Sequence, residues 1–161
     1  MGRQADTEVI PELSDPESGP EEIGLYASIE LDPRPAAAAK ARQLTRDRLT
    51  LWGMGALTSD AESIASELVA NAVLHAVPPG TGGLSIIMAI YATAPGLRIS
   101  VWDIGPGHPR IKQPDPGDTS GRGLFMIDAL TAGNWGWWPT PASGGKVVHA
   151  TLTADAQDAP A

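Results

Sequence analysis

Two periodicities and their order predict a two-layer α/β sandwich: a mostly antiparallel sheet with helices packed on one face. The alternating segment 25–31 has the period of two expected of a strand, and the short segments at 84–92, 97–104, 135–138 and 146–152, set off by turn residues, also read as strands. Longer segments at 36–52, 58–76 and 123–132 read as helices. The resulting order, β-α-α-β-β-α-β-β, lacks the strict strand–helix alternation that builds a parallel sheet.

Each element has a local reason. The alternating run from Leu25 to Leu31 stops at Asp32-Pro33 and reads as an edge strand. Pro35 suits a first helical turn, and the Ala-rich stretch 36–52 continues it, with Leu44, Arg48 and Leu51 near one face and Gly53 as the stop. Thr58 or Ser59 is expected to cap the next helix, where Asp60 and Glu62 complement the dipole. That helix places Ile64, Leu68, Ala72 and His75 inward and ends before Pro78-Pro79-Gly80. Ala94-Pro95-Gly96 turns the chain between two strands. The Pro/Gly/Asp loop at 105–120 is longer than a plain connection needs, as functional lids are. A short helix and a closing hairpin follow.

Composition bounds the function. At 161 residues and 42% hydrophobic, the chain is long and apolar enough for one domain with a sizeable core. Residues 1–23 form an acidic leader too poor in large apolar groups to order itself, 24–153 the domain, and 154–161 a flexible tail. A net charge of −8 with no basic run argues against direct nucleic-acid binding. The absence of cysteine removes disulfides, thiolate metal sites and cysteine nucleophiles. His75, His108 and His149 are too dispersed for a built-in zinc site. With neither a signal peptide nor an apolar run of spanning length, a soluble, cytoplasmic protein that makes no membrane contact is expected.

The chemistry gathers in three segments. Glu67 and Asn71 stand four residues apart in Ser-Glu-Leu-Val-Ala-Asn-Ala, about 40° apart at the border of the inward helical face. An amide oxygen coordinates a hard cation such as magnesium, and a neighbouring carboxylate accepts a proton. The plainer reading is a solvated i,i+4 polar pair. Asp103 ends an apolar strand, where a buried carboxylate needs a donor such as the exocyclic amine of adenine. Gly105 and Gly107 follow and let backbone approach a planar base; an ordinary strand exit has the same look. Gly121-Arg122-Gly123 opens a short helix whose free amides make a phosphate cradle, with Arg122 as an added cation, although glycines before helices are common. Taken in this order, the segments describe a pocket for ATP and Mg2+. His75 reads as a core or cap histidine, His149 as structural, and the Trp135–Trp138 cluster as sheet packing.

Glu67-x-x-x-Asn71, Asp103-x-Gly105-x-Gly107 and Gly121-x-Gly123 resemble the N, G1 and G2 boxes of the GHKL ATPases. The compact form is most similar to anti-sigma-factor serine kinases of the SpoIIAB/RsbW type, over about residues 25–153. The resemblance implies the Bergerat fold, with Asn71 holding Mg2+ against the phosphates of ATP and Glu67 acting as general base. Asp103 would bind the adenine amine, Gly105 and Gly107 would line the base, and Gly121, Arg122 and Gly123 would hold phosphates. His108–Ser120 would be the lid. It also implies phosphorylation of an anti-sigma antagonist, a sigma-factor partner, transcription regulation and a homodimer. An ATP-sensing module without phosphotransfer, or a small ATPase, would use the same pocket. Lys146 is followed by Val147 where the family often places a threonine near the adenine.

Overall fold

The computed structural model describes residues 25–75, 85–93, 96–107, 109 and 122–154. The acidic leader, the tail beyond Ala154, Gly121 and all of the expected lid except Pro109 lie outside the described residues.

Five strands form one sheet: β1 (Tyr26–Leu31), β2 (Ile86–Thr93), β3 (Gly96–Asp103), β4 (Trp135–Pro139) and β5 (Lys146–Thr153). Their order is β1-β2-β3-β5-β4 and every pairing is antiparallel. Helices α1 (Ala36–Leu51), α2 (Thr58–His75) and α3 (Arg122–Thr131) supply the second layer. The predicted two-layer α/β architecture is therefore the observed one.

Strand alternation sorts the side chains. Ile86, Met88 and Ile90 of β2, Leu97, Ile99 and Val101 of β3, and Val148, Ala150 and Leu152 of β5 join the main core with residues of the three helices. On the opposite face a smaller cluster forms around Ala89, Trp138 and Val147, with Tyr26, Ile87 and Trp102 packed against it. The tryptophans divide accordingly. Trp135 packs on the helix side and donates its indole N–H to Asp128 at 2.9 Å. Trp138 lies against His149 with ring centroids 4.7 Å apart on the other side.

The helices depart from expectation in three places. The buried stripe of α1 is Ala37, Ala41, Thr45 and Leu49, whereas Leu51 is 72% exposed. Three of these four are small residues, so side-chain size does not mark the buried face. Between the helices stands a one-turn 3-10 helix, Gly55–Leu57, which carries no readable period. It runs straight into Thr58, whose φ of −58° and ψ of −49° are helical, so Thr58 is not in the extended conformation of an N-cap. His75, expected inward, is exposed in the last turn of α2. Gly53 does end α1, with φ +71° in the left-handed region.

The β2–β3 turn leads into Gly96, opposite Thr153 at the far end of the sheet from Asp103. A Cβ at Gly96 would run into the backbone carbonyl of Leu152, and neighbouring backbone cannot step aside as a side chain can. Gly96→Ala is expected to destabilise the domain by about 1–3 kcal/mol. Thermal melting followed by circular dichroism checks this, at roughly 2–4 °C for each kcal/mol.

Candidate functional site

Helix α2 is the spine of the site. Glu67, Asn71 and His75 succeed one another at four-residue intervals and so share one stripe, spanning about 12 Å at 1.5 Å per residue. Glu67 and Asn71 are half-buried, whereas Ile64, Leu68 and Ala72 anchor the inner face. Each end of the stripe touches a glycine from a distant segment.

At the Glu67 end the partner is Gly123, in the first turn of α3. A Cβ on Gly123 would run into Oε2 of Glu67 and lie 3.1 Å from its Cδ. The carboxylate is thus seated against the N-terminal turn of α3, made possible by a missing side chain. Backbone amides in a helix's first turn have no intrahelical acceptor and, with the dipole, attract anions. Arg122 is the first residue of that helix.

At the other end the partner is Gly105, just past β3. A Cβ there would run into the backbone carbonyl of His75 and come within 2.8 Å of Asp103 Oδ1. Gly105 is therefore required by the packing of the α2 terminus against the β3 exit. Gly107 has a different cause: it has open space around it, but φ of +85° places it in the left-handed region.

Asp103, the last residue of β3, is only 2% exposed. Its Oδ1 accepts the Gly105 N–H at 2.8 Å and the Lys146 ammonium at 2.9 Å. Lys146 Nζ also donates to the Gly105 carbonyl at 3.3 Å, and its side chain is 7% exposed. An ion pair this deep carries a desolvation cost, which its hydrogen bonds offset. Sequence reasoning missed Lys146. The signal that could have found it is the preceding Gly144-Gly145, both with positive φ, at 75° and 77°. A Cβ on Gly145 would run into the Asp103 carbonyl, so this turn sets Lys146 directly opposite Asp103 in the β3–β5 ladder.

The donors present suit a magnesium nucleotide. Among the described residues no three His, Asp or Glu side chains cluster as a metal cage would require. Asn71 offers one hard oxygen, the sparse protein share typical of magnesium, which keeps waters and phosphate oxygens for the rest of its shell. Asp103 offers a buried acceptor at one end of the stripe and α3 a helix N-terminus at the other. Gly121 lies outside the described residues. No helix among the described residues is long and apolar enough to cross a membrane.

Comparison with known proteins points to a family. The family model for the histidine kinase-like ATPase domain matches residues 31–133. Among solved structures, the RsbU and RsbW domains of Rv1364c from Mycobacterium tuberculosis align with a TM-score of 0.58 and 25% identity. That alignment covers 80% of this chain and 32% of the other, so the chain spans about a third of that structure's length. No curated protein matches the chain.

Proposed function

The chain belongs to the histidine kinase-like ATPase domain family, and we propose that it is an ATP-dependent regulatory kinase that phosphorylates a serine or threonine on a partner protein. ATP binding follows from the family. The partner in this proposal is a small anti-sigma antagonist, whose phosphorylation frees the kinase to hold a sigma factor and so regulate transcription. The RsbW domain in the aligned mycobacterial structure supports this choice. The observation that supports the proposal is the α2 stripe, which carries Glu67 and Asn71 and meets Gly123 at one end and Gly105 at the other.

In this reading the second carboxylate oxygen of Asp103 accepts a hydrogen bond from the adenine amine, since both contacts among the described residues fall on Oδ1. Asn71 holds Mg2+, which when bound neutralises charge on the phosphates. Gly121, Arg122 and Gly123 give backbone amides to the phosphates, and the Arg122 cation adds to them. Glu67 accepts the proton of the acceptor hydroxyl as its oxygen bonds to the γ-phosphorus, the β–γ bridging bond breaks and ADP leaves. Gly107, in its left-handed conformation, stands just before the lid of this reading, His108–Ser120.

The test is incubation of the full chain with Mg·ATP labelled in the γ-phosphate and the candidate antagonist, with phosphoserine mapped by mass spectrometry. Label on the antagonist supports the kinase. Nucleotide binding without transfer or hydrolysis would make the protein a sensor, and hydrolysis without a protein acceptor a plain ATPase.

Gly123→Ala gives an independent check on the Glu67 contact. The added methyl meets the far end of a flexible side chain, so the carboxylate is expected to swing away while the fold holds. The melting temperature should change little. Phosphotransfer should fall by about 100-fold, the scale on which small misplacements of catalytic groups act. Transfer at the unmodified rate would separate Glu67 from the chemistry.

A further inference from the structure

We infer that Lys146 is a positioning residue that sets the choice of nucleobase. The inference rests on the ATP-site reading above and adds to it a residue beyond the family match, which ends at residue 133. Lys146 Nζ and the Gly105 amide both bind Oδ1 of Asp103, at 2.9 and 2.8 Å, which fixes the carboxylate plane. The ammonium's further bond to the Gly105 carbonyl ties the carboxylate, the lysine and the start of the glycine segment into one buried unit. Because Lys146 is opposite Asp103 in the strand ladder and Gly144-Gly145 fixes the turn before it, the cation has little freedom to leave.

The chemical consequence is selectivity. A carboxylate paired with a lysine only accepts hydrogen bonds. Its remaining oxygen welcomes the 6-amine of adenine and repels the 6-carbonyl of guanine. Without the Lys146 ammonium, Oδ1 loses one of its two donors, and the carboxylate plane that aims the other oxygen at the base is no longer fixed. Lys146 therefore acts on the base through Asp103, without itself touching the base.

The experiment is equilibrium dialysis of the full-length protein with labelled ATP and labelled GTP, each with magnesium, for the unmodified chain, Lys146→Met and Lys146→Arg. The unmodified protein should prefer ATP. Lys146→Met should lower the ATP:GTP affinity ratio by at least about tenfold, the scale of one hydrogen bond to a charged group. Lys146→Arg, which keeps the cation, should retain most of the preference. Should Lys146→Met fail to fold, Lys146→Thr carries the same comparison, because it removes the donor to Asp103 with a side chain that suits a strand. An unchanged ratio in the folded, uncharged variant would overturn the inference and leave Lys146 a tie between strand ends, with the ATP-site reading intact. Failure of the unmodified protein to bind ATP would overturn both.

Discussion

Glu67→Gln is expected to slow phosphotransfer by about 100- to 10,000-fold, the range over which positioned general bases act, while leaving ATP affinity within a few-fold. The amide is nearly the shape of the carboxylate, so the contact with Gly123 and the packing of α2 on α3 should survive. What disappears is the capacity to take a proton from the acceptor hydroxyl. Single-turnover transfer from pre-bound ATP measures that step apart from binding. A variant that keeps its transfer rate would mean that Glu67 only fills space beside α3.

Asn71→Ala should strike binding instead. Asn71 sits between the two ends of the stripe and is the amide oxygen on which the metal assignment rests. Its loss should weaken magnesium-dependent ATP affinity by at least about tenfold, the lower end of what even supporting contacts around metals contribute. The more telling outcome is that affinity should become nearly the same with magnesium and with a chelator. Because Asn71 is only half-buried, its removal opens no large cavity and the melt should stay close to that of the unmodified chain. A preserved magnesium dependence would move the metal to another ligand.

Much of the fold was legible because the strands are short apolar runs bounded by turn residues. Ile86, Met88 and Ile90 face one side, Ile87 and Ala89 the other, and both sides of β2 are apolar enough to stand out. The face of α1 was not legible. Ala37, Ala41 and Thr45 are buried, and small residues carry no hydrophobic signal strong enough to outrank Leu51. The Gly55–Leu57 turn is too short to show a period.

For the candidate site, residues on a single element were readable and contacts between elements were not. The spacing of Glu67 and Asn71 on α2 follows from helical geometry alone. That Oε2 of Glu67 rests on Gly123, or that the His75 carbonyl rests on Gly105, depends on how α2 packs against α3 and β3. Lys146 shows the same limit. Lys146 reads as the first residue of a strand, with nothing local to say which way it faces, and only the β3–β5 register turns it inward onto Asp103.

Equilibrium dialysis of the full chain against labelled ATP, with magnesium and with a chelator in its place, tests the central claim most directly. Saturable binding at one site per chain, weakened when magnesium is withdrawn, is the predicted result. No retention of nucleotide at millimolar ATP, in the presence of magnesium and with the protein folded, would contradict it.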